Sequence, residues 1–348
     1  MNKRVWQCEI VANDDLLDED GNLKHPGYAR KLFLKYDRRR IAVSPKRIKE
    51  WDYYLIYNRS FALALTIADN GYMGMFSASV INLIEPKEKT KSKIIWFPMG
   101  KLNLPASSIK GDVIYKDRQI EISFKILDNC RKIYYKFANF ASGKDLVADI
   151  TLTHEPKESM VIATPFKEPK HFYYNQKIVG FIASGKVVLG EDIIIDFSGE
   201  NSRAILDWGR GVWPYKNTWF WGAGASNVAG HEVGFNIGYG FGNNSFATEN
   251  MVFFDGFSHK IEHVNIEFAK NKNKTDYLLP AKITSSDGRF EMDFLPIIDR
   301  HSNTDIGIIG SNQHQVFGLF YGTMVLDDGQ VITISEFPGF VEEVKNKW

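Results

Sequence analysis

Gln119-Ile120-Glu121-Ile122-Ser123-Phe124-Lys125-Ile126 carries an apolar side chain at every second position. Successive side chains of an extended chain point to opposite faces, so this stretch reads as a strand with one buried face and one wet face. The same period extends outward. It recurs in Lys132-Ile133-Tyr134-Tyr135-Lys136-Phe137 and in Val147-Ala148-Asp149-Ile150-Thr151-Leu152-Thr153. Further along it runs through 177–189, 203–207, 231–241, 289–294, 315–326 and 331–334, with Asp327-Asp328-Gly329 as a hairpin turn between the last two. Helical periodicity is scarce. The expectation is an all-β protein whose many short strands build barrels or sandwiches.

Length and composition agree. The 348 residues are enough for two β domains, and 44% hydrophobic with 24% charged residues is ordinary globular composition. The aromatic share of 14% is high and suits strands and pocket walls. Residues 1–40 read as an N-terminal arm broken by Asp18-Glu19-Asp20-Gly21-Asn22 and His25-Pro26-Gly27. The turn-rich stretch from Pro165 to His171 suggests a division into a first barrel at 41–168 and a second at 169–348.

Charge excludes some functions. Lysine plus arginine number 43 against 42 acidic residues, a net charge of +1, which provides no broad field for nucleic acid. The basic run Lys35-Tyr36-Asp37-Arg38-Arg39-Arg40 reads as a solvated turn, with an anionic partner as the alternative. Cys8 and Cys130 show no metal-ligand spacing and cannot staple a chain of this size, which points to a reducing compartment. Glu9, Asp14 and Asp15 come too early for a signal core, and no apolar run reaches membrane-spanning length. A cytoplasmic protein without a transmembrane segment is expected. No phosphate loop, zinc-protease helix or nucleophile elbow occurs, and no metal or cofactor is expected.

The densest constellation is Asp207-Trp208-Gly209-Arg210-Gly211-Val212-Trp213-Pro214-Tyr215, followed by Trp219-Phe220-Trp221. Gly209, Gly211 and Pro214 predict a corner between two strands, with Trp208, Trp213, Tyr215, Trp219 and Trp221 as a pocket wall and Arg210 and Asp207 as polar contacts. The alternative is a tryptophan-rich plug tied by an Asp207–Arg210 pair. Glu249, in Ala247-Thr248-Glu249-Asn250, reads as an acid or base facing the same cavity, or as a plain strand-end carboxylate. His314 opens a strand beside polar residues and is the best histidine candidate, catalytic or structural. Tyr53 joins the candidate ligand contacts from the first half. The glycines at 234, 238 and 240 mark a bulge, a bend or the close approach of another group.

Longer segments carry a resemblance. Arg47-Ile48-Lys49-Glu50-Trp51-Asp52-Tyr53-Tyr54, the 207–221 segment, Ala247-Thr248-Glu249-Asn250, His314-Gln315-Val316-Phe317-Gly318 and Gly339-Phe340-Val341-Glu342-Glu343-Val344 resemble a family of domains of unknown function over nearly the whole chain. More distantly, Glu50-Trp51-Asp52-Tyr53 resembles the Glu-Trp-Trp-Tyr opening of the hydroxyneurosporene synthase (carotenoid hydratase) family. Leu206-Asp207-Trp208-Gly209, with Trp219 to Trp221, resembles that family's second domain. Asp52 stands where a tryptophan is expected, and Asp207 adjoins Trp208 instead of being separated from it. The resemblance implies two consecutive lipocalin-like antiparallel barrels, with pockets for isoprenoid or polyketide-like ligands in or between them. It assigns no catalytic residue.

Three functions follow as expectations: binding of a hydrophobic, lipid- or isoprenoid-like molecule; cofactor-independent acid–base catalysis (hydration, isomerisation or cyclisation) with Glu249 or Asp207 as acid and Arg210 or His314 orienting; or a structural role without ligand. The first two predict a main cavity lined by Trp213 or Trp221 with Asp207, Arg210 or Glu249.

Overall fold

The computed structural model describes residues 7–305, 307 and 309–347. Among them the chain is almost wholly β, with two short 3-10 turns at Arg38–Arg40 and Pro45–Arg47. Two large sheets result. The first runs in the order Lys87–Trp96, Met73–Asn82, Phe61–Asp69, Lys49–Tyr57, Asp192–Val212, Phe172–Leu189, Lys144–Thr153, Cys130–Ala141, Ile120–Leu127, Val113–Lys116. Met160–Pro165 pairs with Phe172–Leu189 off this path and is extended by Gly27–Ala29. The second runs Phe257–Lys260, Met251–Phe254, His231–Tyr239, Lys216–Val228, Val331–Lys347, Gly310–Val325, Phe290–Asp305, Ala281–Ser285, Val264–Glu267.

Both sheets curl. Each wraps an aromatic interior, the first around Phe76, Tyr135, Phe137, Phe181 and Trp208, the second around Phe235, Phe290, Phe320 and Phe337. The first sheet bends far enough for Tyr115, on one edge strand, to meet Phe76, beside the other edge, with ring centroids 4.2 Å apart. A third core lies between the sheets. There Leu55, Tyr57, Val179 and Ile205 of the first meet Trp221, Ala223, Phe317 and Phe340 of the second. The Tyr57 hydroxyl bonds both the N–H and the carbonyl of Ala225, stitching the sheets together. The expected all-β architecture of consecutive lipocalin-like curled sheets is borne out.

The sheets part later in the sequence than 168/169. Phe172–Leu189 and Asp192–Val212 form a hairpin inside the first sheet, and the crossing to the second lies between Val212 and Lys216. Pro165 to His171 is only a hairpin turn, closed by the Phe166 N–H on the His171 carbonyl. Turn chemistry reads the same in either role; only strand pairing tells a hairpin from a linker. Of the arm, residues 7–40 bury Leu16, Leu17, Leu34 and Tyr36 in the first sheet's core and Tyr28 in the core between the sheets, with Arg30 bonded to Ser258 of the second. The basic run forms the Arg38–Arg40 turn, with Arg38 on Glu50, Arg39 on Asp37 and Arg40 on Asp15.

The expected corner is also relocated. Gly209 and Gly211 lie within a strand that is buried from Ser202 through Val212. A side chain at Gly209 would meet the Trp51 ring at 2.0 Å, and one at Gly211 would meet the Phe172 carbonyl oxygen at 2.3 Å. The real turn is Trp213-Pro214-Tyr215, held by Arg47 on the Trp213 carbonyl and Asn217 on the Pro214 carbonyl. Overpacking a filled core costs about 1–3 kcal/mol. Gly209→Ala should therefore lower the urea midpoint by an equivalent amount, and adding Trp51→Phe should return part of the loss; chemical denaturation of the three variants measures both.

Candidate functional site between the sheets

Alternation on the central strand sorts its polar residues. Even-numbered side chains from Ala204 to Val212 enter the first interior, and odd-numbered ones from Ile205 to Trp213 face the second sheet. Trp208 and Arg210 therefore sit together inside the first sheet. The guanidinium lies 4.3 Å from the Trp208 ring centre and 2.9 Å from Asp52, and its other bonds go to the carbonyls of Trp51, Gly209 and Pro105. The expected Asp207–Arg210 pair does not form, because residues an odd number of positions apart on a strand point to opposite faces.

On the opposite face, Asp207 joins a different set. The Lys177 ammonium is 2.8 Å from its carboxylate and 3.8 Å from the centre of the Trp221 ring. The Asn175 amide donates to Asp207 at 2.6 Å. Two further carboxyls come from the second sheet and its loops. Glu342 accepts from Trp219 Nε1 at 3.0 Å and from the Gln315 amide at 3.1 Å. Glu249 rests over Gly238, where an added Cβ would come within 2.6 Å of its carboxyl oxygen. The in-strand glycines thus answer to close approach: Gly238 clears Glu249, and Gly234 admits Val179 of the first sheet. Asn236 accepts from Trp221 Nε1 and donates to the Glu249 carbonyl, fixing both. Tyr53 bonds Gln315 and packs edge-on against Trp221. Trp51, Tyr173, Trp213, Trp219 and Phe241 form the aromatic wall.

Three carboxyls around one ammonium, away from water, cannot all ionise cheaply. Burial pushes Glu342 up to about 7, against the Lys177 and Arg300 charges and the Trp219 hydrogen bond, which favour the anion. Burial likewise raises Glu249, with Lys177 opposing. The phenols of Tyr53 and Tyr173 are raised as well, by burial first, and keep their protons. The cluster thus places the Lys177–Asp207 contact beside a carboxyl whose proton affinity burial raises toward neutrality. Tyr53, Tyr173, Asp207, Trp221, Phe241 and Glu249 each keep 6–8% exposure, whereas adjoining Ile205 and Ala223 keep none.

Several expected residues lie elsewhere. His314 is on the other face of the second sheet, bonded to Asp299 at 2.7 Å and stacked between Tyr277 and His301. Tyr215 is exposed on the turn. Two clefts lie away from the cluster. One cleft of about 410 Å³ is lined by residues 216–218, 303–305, 310–312 and 345–347. Another of about 280 Å³ lies between the sheets at Val179, Gly180, Gly234 and Phe253. Neither is lined by Trp213, Trp221, Asp207, Arg210 or Glu249. Sequence reading missed Lys177, Tyr173 and Glu342. The first two share the odd-numbered face of 173–179, and Glu342 lies in a motif with no local mark of chemistry.

The profile of the family described as a domain of unknown function, DUF2804, matches residues 7–348. The chain belongs to that family. No curated protein sequence matches it. Among solved structures it is similar to a putative AttH from Nitrosomonas europaea, with a TM-score of 0.54 at 13% identity, over 90% of this chain and 97% of that one. This likeness is one of fold. Looser overlaps are found with kievitone hydratase from Nectria haematococca (TM-score 0.45, 10% identity, 96% and 98% covered) and with CghA bound to Sch210972 (TM-score 0.42, 8% identity, 97% of each chain). The family resemblance read from the sequence is thereby borne out.

Two outcomes test the electrostatics. Lys177→Met leaves Asp207 buried without its cation and should cost about 3–5 kcal/mol, while Lys177→Met with Asp207→Asn should recover much of it in a double-mutant cycle. For Glu342, the folded carboxyl holds its proton from 4.5 up to about 7, whereas the unfolded one has lost it. Unfolding free energy should therefore fall as pH rises across that window, by an amount on the order of 3 kcal/mol. Glu342→Gln should abolish that part of the fall, as urea titrations of both proteins from pH 4 to 8 would show.

Proposed function

We propose that the protein is a cofactor-independent acid–base catalyst acting on a hydrophobic small molecule at the junction of its two sheets. The supporting observation is Glu342: a buried carboxyl, protonated near neutrality, held by Trp219 and Gln315 beside the Lys177–Asp207 pair. General acids work best with a pKa near the working pH. Glu342, or Glu249 beside it, protonates a double bond or a leaving oxygen of the substrate. The indole faces of Trp219 and Trp221 stabilise the positive charge that develops. Asp207, held by Lys177, takes up a proton from an incoming water or an adjacent carbon. Addition of water gives hydration, and loss of a neighbouring proton gives isomerisation. Arg210, Trp208 and His314 have no part in this step, since strand alternation and sheet position turn them away.

A second reading, binding without chemistry, draws on the aromatic wall of Trp51, Trp213 and Phe241, which suits an apolar ligand by itself. One experiment separates the two. The purified protein is incubated with a hydrophobic metabolite extract in D₂O, and extracted compounds are compared by mass spectrometry. Catalysis predicts a compound that gains deuterium with wild-type protein, with the rate at least about a hundredfold lower in Glu342→Gln. A compound retained in native mass spectra by both proteins, with no deuterium gained in either, supports binding alone.

A further inference from the structure

The second sheet extends past its own core. Register sets its side chains in rows across the strands, all on the concave face. Ile237, Gly222, Val341 and Val316 make the last apolar row, with Asp299 at its end. The next row outward holds Glu343, His314 and His301. Beyond it come Thr218, Lys345, Asn312 and Asn303, and then Lys216, Lys347 and, past Gly310, Asp305. The two outer rows line the cleft of about 410 Å³. Gly310 apart, every residue lining it carries an ammonium, an amide, a hydroxyl or, at Asp305, a carboxylate. Glu342 and Gln315 adjoin Glu343 and His314 in sequence, so they lie on the opposite face, in the inter-sheet cluster.

His314 stands at the inner end of the cleft with its ring fixed. Nδ1 meets Asp299 at 2.7 Å, on the core side, and Tyr277 and His301 stack on the two ring faces with centroids 3.9 and 4.1 Å away. The two nitrogens of an imidazole point widely apart, so Nε2 turns from the core toward the row of Asn312 and Lys345. It makes no hydrogen bond among the described residues. The neighbouring groups are engaged. His301 Nε2 bonds the Asn312 side-chain oxygen at 2.8 Å, and Glu343 accepts from the Tyr277 phenol and pairs with Lys345. Nε2 is thus the inward polar atom left to meet a ligand, with lysines at the other end of the cleft.

Lysines at a sheet edge guard against stray strand pairing. Lys347 needs another explanation, because its strand is paired on both sides. It lies directly across from Lys216, on the same face, and like charges so placed are destabilising. Neither has an ion-pair partner among the described residues, and the Asp305 carboxylate caps the Gly307 N–H. An anion between the two ammoniums would relieve their repulsion. The amides and hydroxyls beside them each offer a donor and an acceptor, as hydroxyl groups do. We propose that this cleft binds a small anion that also carries hydroxyl groups, such as a sugar acid or a sugar phosphate. Lys216 and Lys347 hold the anionic group, Asn303 and Thr218 bond hydroxyls, and His314 Nε2 accepts from the innermost one. The ligand is hydrophilic and its site lies on the face turned away from Glu342, so the inference does not depend on the catalytic reading.

The test is calorimetric titration of the full chain with gluconate, glucose 6-phosphate, glucose and inorganic phosphate, joined to NMR of the histidine rings. At least one of the two hydroxylated anions should bind at least about tenfold more tightly than glucose or phosphate. Its addition should shift the ring signals of His314 and His301. Lys216→Gln with Lys347→Gln should weaken that binding at least about tenfold and flatten its dependence on salt. Asn303→Ala, at an exposed position, should weaken it while leaving the affinity for phosphate unchanged. Glu342→Gln should bind like wild type, which separates this inference from the catalytic one. The proposal is overturned if neither hydroxylated anion binds more tightly than glucose and phosphate. It is also overturned if the double lysine variant, folded by its urea midpoint, binds like wild type, or if binding leaves the His314 and His301 signals in place.

Discussion

Everything in this molecule is arranged around a strand buried on both faces. From Ser202 to Val212 the central strand has the first sheet's interior on one side and the second sheet on the other. An antiparallel strand more often keeps one face in water. Here the wet face is covered, so each polar residue on it must find a partner within the protein or leave a costly charge stranded. Arg210 finds Asp52 and backbone carbonyls on one face; Asp207 finds Lys177 and Asn175 on the other. Two polar clusters thus arise three residues apart in sequence and on opposite sides of a sheet.

The inter-sheet cluster is the more telling of the two. A stable interface needs only apolar faces, and the Leu55, Ile205, Ala223 and Phe340 part of the contact supplies them. Asp207, Glu249 and Glu342 add no packing that leucine or methionine would not supply better, and buried charges of this kind are frequently neutral or unfavourable for stability. Their convergence on Lys177 is the reason for seeking chemistry there. The glycines opposite them serve the same arrangement, since Gly238 yields its side-chain volume to Glu249.

Much of the architecture could be read from the chain. Period-two alternation identified the strands at 120–126, 132–137 and 147–153, and the motifs around Trp51 and Asp207 pointed to the family and its lipocalin-like curl. The boundary was misplaced because Pro165 to His171 has the composition of a linker and the position of a hairpin turn. Of the candidate site residues, Trp213, Trp219, Trp221 and Glu249 lie together on the inter-sheet side. Trp208 and Arg210 were drawn in by proximity along the chain, although the alternation that identified the strands also sends them to the other face.

Sequence by itself determined the strands, their turns and which side chains each strand buries, because those depend on a local period of two and on glycine, proline and asparagine at bends. It could also say that Asp207 and Arg210 point apart. Only the tertiary structure decided what lies opposite each face. Lys177 meets Asp207 through the hairpin of 172–189 and 192–212, whereas Glu342 and Glu249 reach them only because the second sheet folds back over the first. Register between sheets is set by the packing of Tyr57, Val179 and Trp221 at long range, and no local pattern encodes it. The raised proton affinity of Glu342 belongs to that second level, since it comes from the removal of water by residues distant in the chain.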